Sequence, residues 1–76
     1  MEARVEREPA EPDVLSPRER DVIALVADGR TNEQIARLLG VSLSTIKAEL
    51  STIFAKLGAT DRASAVAACF RRGLLR

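Results

Sequence analysis

The chain has 76 residues, a length that accommodates one small domain; with no tryptophan, no tyrosine and two phenylalanines, its core must be aliphatic. It has no histidine and one cysteine, Cys69, which removes histidine-based catalysis, the usual zinc ligand sets and an internal disulfide. The net charge of +1 is unevenly spread: residues 1–14 carry two arginines against five acids (−3), and residues 15–76 carry ten basic against six acidic residues (+4), a mild cationic excess that suits a polyanion without demanding one.

Residues 1–14, "MEARVEREPAEPDV", are charged, contain Pro9 and Pro12 and show no sustained apolar period. They are expected to form a flexible tail or the stub of a linker. No apolar run approaches the roughly 18 residues of a membrane span, and the N-terminus has no apolar leader region. A cytoplasmic location is expected, with no membrane partner.

Regular punctuation starts at Leu15. In "LSPRERDVIALVADG", Ser16 is placed as N-cap, Pro17 as first helical residue and Glu19 as the third, a capping box with a proline start. Leu15 can staple onto the first turn, Val22, Ile23 and Val26 form an apolar face, and Gly29 ends the helix. In "TNEQIARLLG", Thr31 and Gln34 repeat the box, Ile35, Ala36, Leu38 and Leu39 form the apolar face and Gly40 is the stop. A third helix, Leu43–Leu57, follows the cap Ser42 and stops at Gly58; Ile46, Leu50, Ile53 and Leu57 fall on one stripe. The fourth begins at Thr60 or Asp61 and stops at Gly73. Val66, Ala67, Phe70 and Leu74 can face the core, leaving Ala65, Ala68, Cys69 and Arg72 as a second, small-residue stripe for dimerisation. Cys69 is expected to act as a small, at least half-buried hydrophobe. No segment alternates with period two, so the fold class is all-α, with four helices over residues 15–76.

The second and third helices are separated by only a few residues and must cross steeply. Ala36 allows close approach, Gly40 supplies a positive φ and Ile46 packs back, with Ile35, Leu39 and Val41 filling the apolar positions between. These are the offsets of a helix-turn-helix. With Ile46 set inward and about 100° per residue, Ser44, Lys47, Ala48, Ser51 and Ala55 point outward. That stripe is small, polar and free of acid, as a helix lying deep in a major groove requires. Lys47 can reach a phosphate or guanine edge, Ser51 can hydrogen-bond and Ala48 can touch a thymine methyl. Glu49 falls on the flank, with Thr45, Thr52 and Lys56.

From Leu15 to about Leu75 the sequence resembles the LuxR-type (GerE-like) helix-turn-helix domain of bacterial transcription regulators. The resemblance rests on "LSPRE", "G-x-T-N-x-x-I-A-x-x-L", "S-x-S-T-I-K", "KLGA" and "R-x-x-A-V-x-x-A" followed by "GLL", in the family's order and spacing. It implies a third helix in the major groove of double-stranded DNA and homodimers made through the fourth helix. It further implies backbone contacts from Thr31, Asn32, Ser42, Ser44, Thr45 and Lys56, base contacts from Lys47, Ala48 and Ser51, and an ion pair between Glu19 and Arg62. Where the family commonly has basic residues after "TIK", this chain has "AELST". Each lost phosphate contact lowers the salt slope of log K by about 0.9, so weak, strongly dimer-dependent binding is expected.

Other readings compete. A sigma-factor region 4 module shares the first half of the pattern, but "KLGATDRASAVAACFRRGLL" extends beyond where that module normally ends. A protein-interaction module would use the bare third helix to bind a partner. An enzyme is not expected, since no nucleophile–base pair, metal cluster or phosphate loop is present in the sequence, and no cofactor or metal is implied. The chain is either a single-domain regulator or an effector domain of a longer one, with RNA polymerase or an upstream sensory domain as further partners.

Overall fold

In the computed structural model, which describes residues 14–75, four helices follow one another: α1 (Pro17–Ala27), α2 (Asn32–Leu39), α3 (Leu43–Leu57) and α4 (Arg62–Arg71). Among the described residues there is no strand. The expected tail lies outside the described residues except for Val14, which packs half-buried against the core instead of standing free.

Each helix starts where a side chain satisfies its orphan amide groups. Ser16 Oγ accepts from the Glu19 amide at 3.1 Å, while the Ser16 amide donates to Glu19 Oε1 at 2.9 Å. Thr31 and Gln34 exchange the same two bonds at 3.1 and 2.9 Å. Asp61, one of the two residues expected to cap α4, accepts from the Ser64 amide at 2.8 Å. At the other end of α2, Gly40 adopts φ 70° and ψ 33°. Its amide donates to the Arg37 carbonyl and that of Val41 to the Ala36 carbonyl, at 3.3 and 3.0 Å. This left-handed stop turns the chain so that α3 leaves at 108° to α2.

α3 packs against all three other helices. Its stripe of Ile46, Leu50, Ile53 and Leu57 is buried, as expected. Leu15, just ahead of α1, and Val22, Ile23 and Val26 within it join the same core, as do Ile35 and Ala36 of α2. No polar side chain is buried among the described residues, so the core itself is held by apolar packing.

Two expected faces are wrong in part. Leu38 is 58% exposed. It lies about 100° around the helix from the centre of the Ile35–Ala36–Leu39 face, and an eight-residue helix against one wall covers no more than that face. On α4 the expected faces hold only in part: Val66 and, just past the helix, Leu74 pack half-buried against the core and Arg72 is exposed, but Ala65, Ala68 and Cys69 are buried, whereas Ala67 is exposed and Phe70 is 49% exposed. α4 lies against both α1 and α3, and only small side chains fit so close an approach. Burial pushes the Cys69 thiol pKa up, partly offset by Arg72. Cys69 is a core residue, as expected of a small hydrophobe, and is enclosed together with the Ala65 and Ala68 of the stripe expected to meet a partner.

Replacing Ile46 by alanine should cost about 2–5 kcal/mol, a large part of the roughly 5–15 kcal/mol typical of a domain. Gly40→Ala meets no atom within 4 Å, so it should cost only the backbone term of about 1–2 kcal/mol. Urea unfolding of both variants should rank them in that order.

Candidate nucleic-acid interface

Because the α3 stripe is buried, the opposite side of the helix is presented to solvent. Ser44, Lys47, Ala48, Ser51 and Ala55 are all exposed, and Lys47 makes no ion pair among the described residues. The face carries no acid, and neither does the first turn of α3. At that turn Ser42 Oγ accepts from the Thr45 amide at 3.1 Å, donates to Thr45 Oγ1 at 2.9 Å and lies 3.1 Å from Ser44 Oγ. These hydroxyls gather at the positive end of the helix dipole, an arrangement that favours an anion.

One flank of α3 borders an open groove whose lining includes Arg30, Thr31, Asn32, Lys47 and Arg62, with Glu33 the acid among them. Arg62 is fixed there. Its Nη1 donates to Asn32 Oδ1 at 2.7 Å and its Nη2 to the Arg30 carbonyl at 2.7 Å. Arg62 thus ties the start of α4 to the start of α2, and the expected pair with Glu19 does not form. Asn32 spends its acceptor oxygen on this tie. Thr31 spends one lone pair on the α2 cap, and its hydroxyl hydrogen makes no bond among the described residues.

The other flank meets α1. Lys56 donates to both oxygens of Glu19, at 2.8 and 3.0 Å. Arg18 grips Glu49 through Nε and Nη2 at 3.2 and 3.3 Å. In each pair the cation is the outer member: Arg18 is 45% exposed over Glu49 at 27%, and Lys56 is 39% exposed over Glu19 at 15%. Sequence spacing identified Glu49 and Lys56 as flank residues but missed Arg18. The only available signal was an unassigned arginine beside the Glu19 cap. Neither partnership could be read from spacing, since the paired residues stand 31 and 37 positions apart. The Lys56 hydrogen bond, helped by the Ser16 amide, holds the Glu19 carboxyl below its ordinary range.

On α4 the residues expected at a dimer contact separate. Ala65, Ala68 and Cys69 are sealed in the core, and Arg72 closes the helix at the surface. The outward side instead carries Ala63, Ala67, Phe70 and Arg71, with Val66 half-buried beside them.

The family described as GerE, bacterial regulatory proteins, luxR family, matches residues 13–69. The chain belongs to this family. Among its luxR-family relatives, the HTH-type transcriptional activator RamA of Corynebacterium glutamicum is 46% identical over 61 residues, 80% of this chain and 22% of that protein. The transcription factor GerE has a solved structure that superposes with a TM-score of 0.78 at 28% identity, covering 83% of this chain and 94% of that one. The response regulator ChrA, from a heme-sensing two-component system, gives 0.77 at 35% identity over 79% of this chain and 30% of that one. The chain spans only 7% of a Mycobacterium bovis relative. A luxR-family DNA-binding domain is thus common to regulators of very different length.

Glu19 has a lowered folded-state pKa, so its contribution to stability is present above its ordinary value of 4.5 and is lost as the pH falls through the folded value. Lys56 is more than a third exposed, so solvent screening limits the pair to about 1 kcal/mol or less. Melting temperature measured from about pH 6 downward should fall more steeply for the parent chain than for Glu19→Gln, because only the parent has this carboxylate to protonate.

Proposed function

We propose that this chain is a sequence-specific DNA-binding module of a bacterial transcription regulator, inserting α3 into the major groove as a dimer. The observation that carries the reading is the bare outward face of α3. Ser44, Lys47, Ala48, Ser51 and Ala55 offer small side chains, one cation without an ion pair among the described residues, and hydroxyl donors, on a helix whose rotation is fixed by its buried stripe. A groove about 12 Å wide admits a helix with such a face. In this reading Lys47, Ala48 and Ser51 read base edges. Thr31, Asn32, Ser42, Ser44, Thr45 and Lys56 approach the phosphates, with Asn32 and Lys56 also held by their intramolecular partners.

The homodimer is assigned to the outward side of α4. Ala63, Val66, Ala67 and Phe70 recur at helical spacing there, and Phe70 is one of the two large apolar residues left exposed among the described residues. This replaces the inward stripe of Ala65, Ala68 and Cys69. With one free lysine on the reading face, a single copy binds weakly and the second half-site supplies most of the affinity. The ChrA likeness makes an upstream sensory domain a natural partner, RNA polymerase is a second, and the cytoplasm is where such a regulator meets DNA.

Selection from a randomised duplex pool should return a two-fold symmetric motif. Lys47→Ala should relax one base position in each half-site, at about 1–3 kcal/mol, with anisotropy as the readout. Failure to enrich any motif would overturn sequence-specific reading and favour a protein partner on α3. Separately, Phe70→Asp should leave the helix content intact and convert two-site binding on the selected duplex to independent single-site binding, as seen by sedimentation of the complexes.

A further inference from the structure

The α3 helix carries one acid, Glu49, on the flank of its outward face, where it pairs with Arg18. A helix about 10–12 Å across fills a major groove about 12 Å wide, so each flank lies beside a phosphate strand. On one flank Lys47, Arg30 and Arg62 are gathered around the open groove. On the other, α3 itself offers the hydroxyls of Thr45 and Thr52, the lysine held by Glu19, and Glu49. Here α1 contributes a cation from outside the helix-turn-helix: Arg18, in the first turn of α1, reaches across to Glu49.

We infer that Arg18 is a phosphate-contacting residue of the DNA interface, and that Glu49 is the positioning residue that holds it there. This rests on the DNA-binding reading above. Three features support it. The guanidinium has five N–H donors, and Glu49 engages two of its nitrogens, leaving donors free for another acceptor. The two bonds, at 3.2 and 3.3 Å, are longer than the roughly 2.7–2.9 Å typical of charge-assisted pairs, so the guanidinium is not tightly clamped by Glu49. Finally, Arg18 is the outer member of the pair, 45% exposed against 27% for Glu49. An approaching phosphate therefore meets the arginine before the carboxylate. An Arg–carboxylate fork fixes the plane of the guanidinium, which lowers the ordering cost of a later bidentate phosphate contact.

The rival explanation is that Arg18 only masks the charge of Glu49. Anisotropy titrations at several salt concentrations separate the two. The proteins are the full chain, Arg18→Ala, Arg18→Lys and the double variant Arg18→Ala/Glu49→Gln. The probes are a labelled duplex bearing the selected motif and a scrambled duplex of equal length. The expected result is that Arg18→Ala weakens both duplexes by the same factor and lowers the slope of log K against log salt by about 0.9 per bound protomer. The double variant should stay as weak and as shallow, while Arg18→Lys should keep the parent slope. Return of the double variant to parental affinity and slope would show masking alone and overturn the inference, as would an unchanged slope for Arg18→Ala beside a salt-dependent parent. A parent chain that shows no salt-dependent binding on either duplex would overturn the DNA reading and this inference together. Circular dichroism melts accompany each titration; should Arg18→Ala prove unfolded, Arg18→Gln replaces it in the same comparison.

Discussion

The rotation of α3 about its own axis is the constraint on which the rest of the molecule depends. A helix has one circumference, and committing Ile46, Leu50, Ile53 and Leu57 to the core leaves no freedom in what the other side displays. All three remaining helices press on that stripe. Since no polar side chain is buried among the described residues, the exposed face of α3 is aimed chiefly by hydrophobic packing. Any core change that rolls α3 by a few tens of degrees would bring Glu49 toward the groove and carry Lys47 away from it.

The two ion pairs along the α1–α3 seam work against such rolling. Arg18–Glu49 and Lys56–Glu19 lie on one side of α3, and each joins it to the first turn of α1. Exposed pairs add little to stability. Their geometric effect is larger, because two tethers about two helical turns apart resist both rotation and sliding. They also give the glutamate in "AELST" a place in the architecture. Where the sequence departs from the basic pattern of the family, an arginine of α1 stands over the acid.

The helix starts, the glycine stops and the inward stripe of α3 were legible because each depends on residues within one or two turns of each other. Ser16–Glu19 and Thr31–Gln34 are local exchanges of hydrogen bonds that spacing captures, whereas for α4 it left the cap open between Thr60 and Asp61 and did not name Ser64. The outward face of α3 followed from its stripe by geometry. What spacing did not capture depends on what packs against what. For α4, Val66, Ala67, Phe70 and Leu74 were expected inward; Val66 and Leu74 pack half-buried against the core, yet the enclosed positions are Ala65, Ala68 and Cys69. For Leu38, an apolar residue at the margin of a short helix had no wall to meet. For Glu19, Lys56, Arg18, Glu49 and Arg62, opposite charges were visible, but their pairing is set by the crossing of helices far apart in the chain.

Arg62 joins two parts of the molecule with different tasks. One guanidinium is hydrogen-bonded to Asn32 and to the carbonyl of Arg30, so the beginning of α4 cannot shift without pulling on the beginning of α2. If two copies meet through α4, the separation of their α3 helices is then a property of a rigid frame and not of a flexible joint. Such a frame measures distance along DNA. Two half-sites moved apart by one base pair would be rotated by about 35° as well as displaced, and with no slack at Arg62 the second copy would meet its half-site out of register.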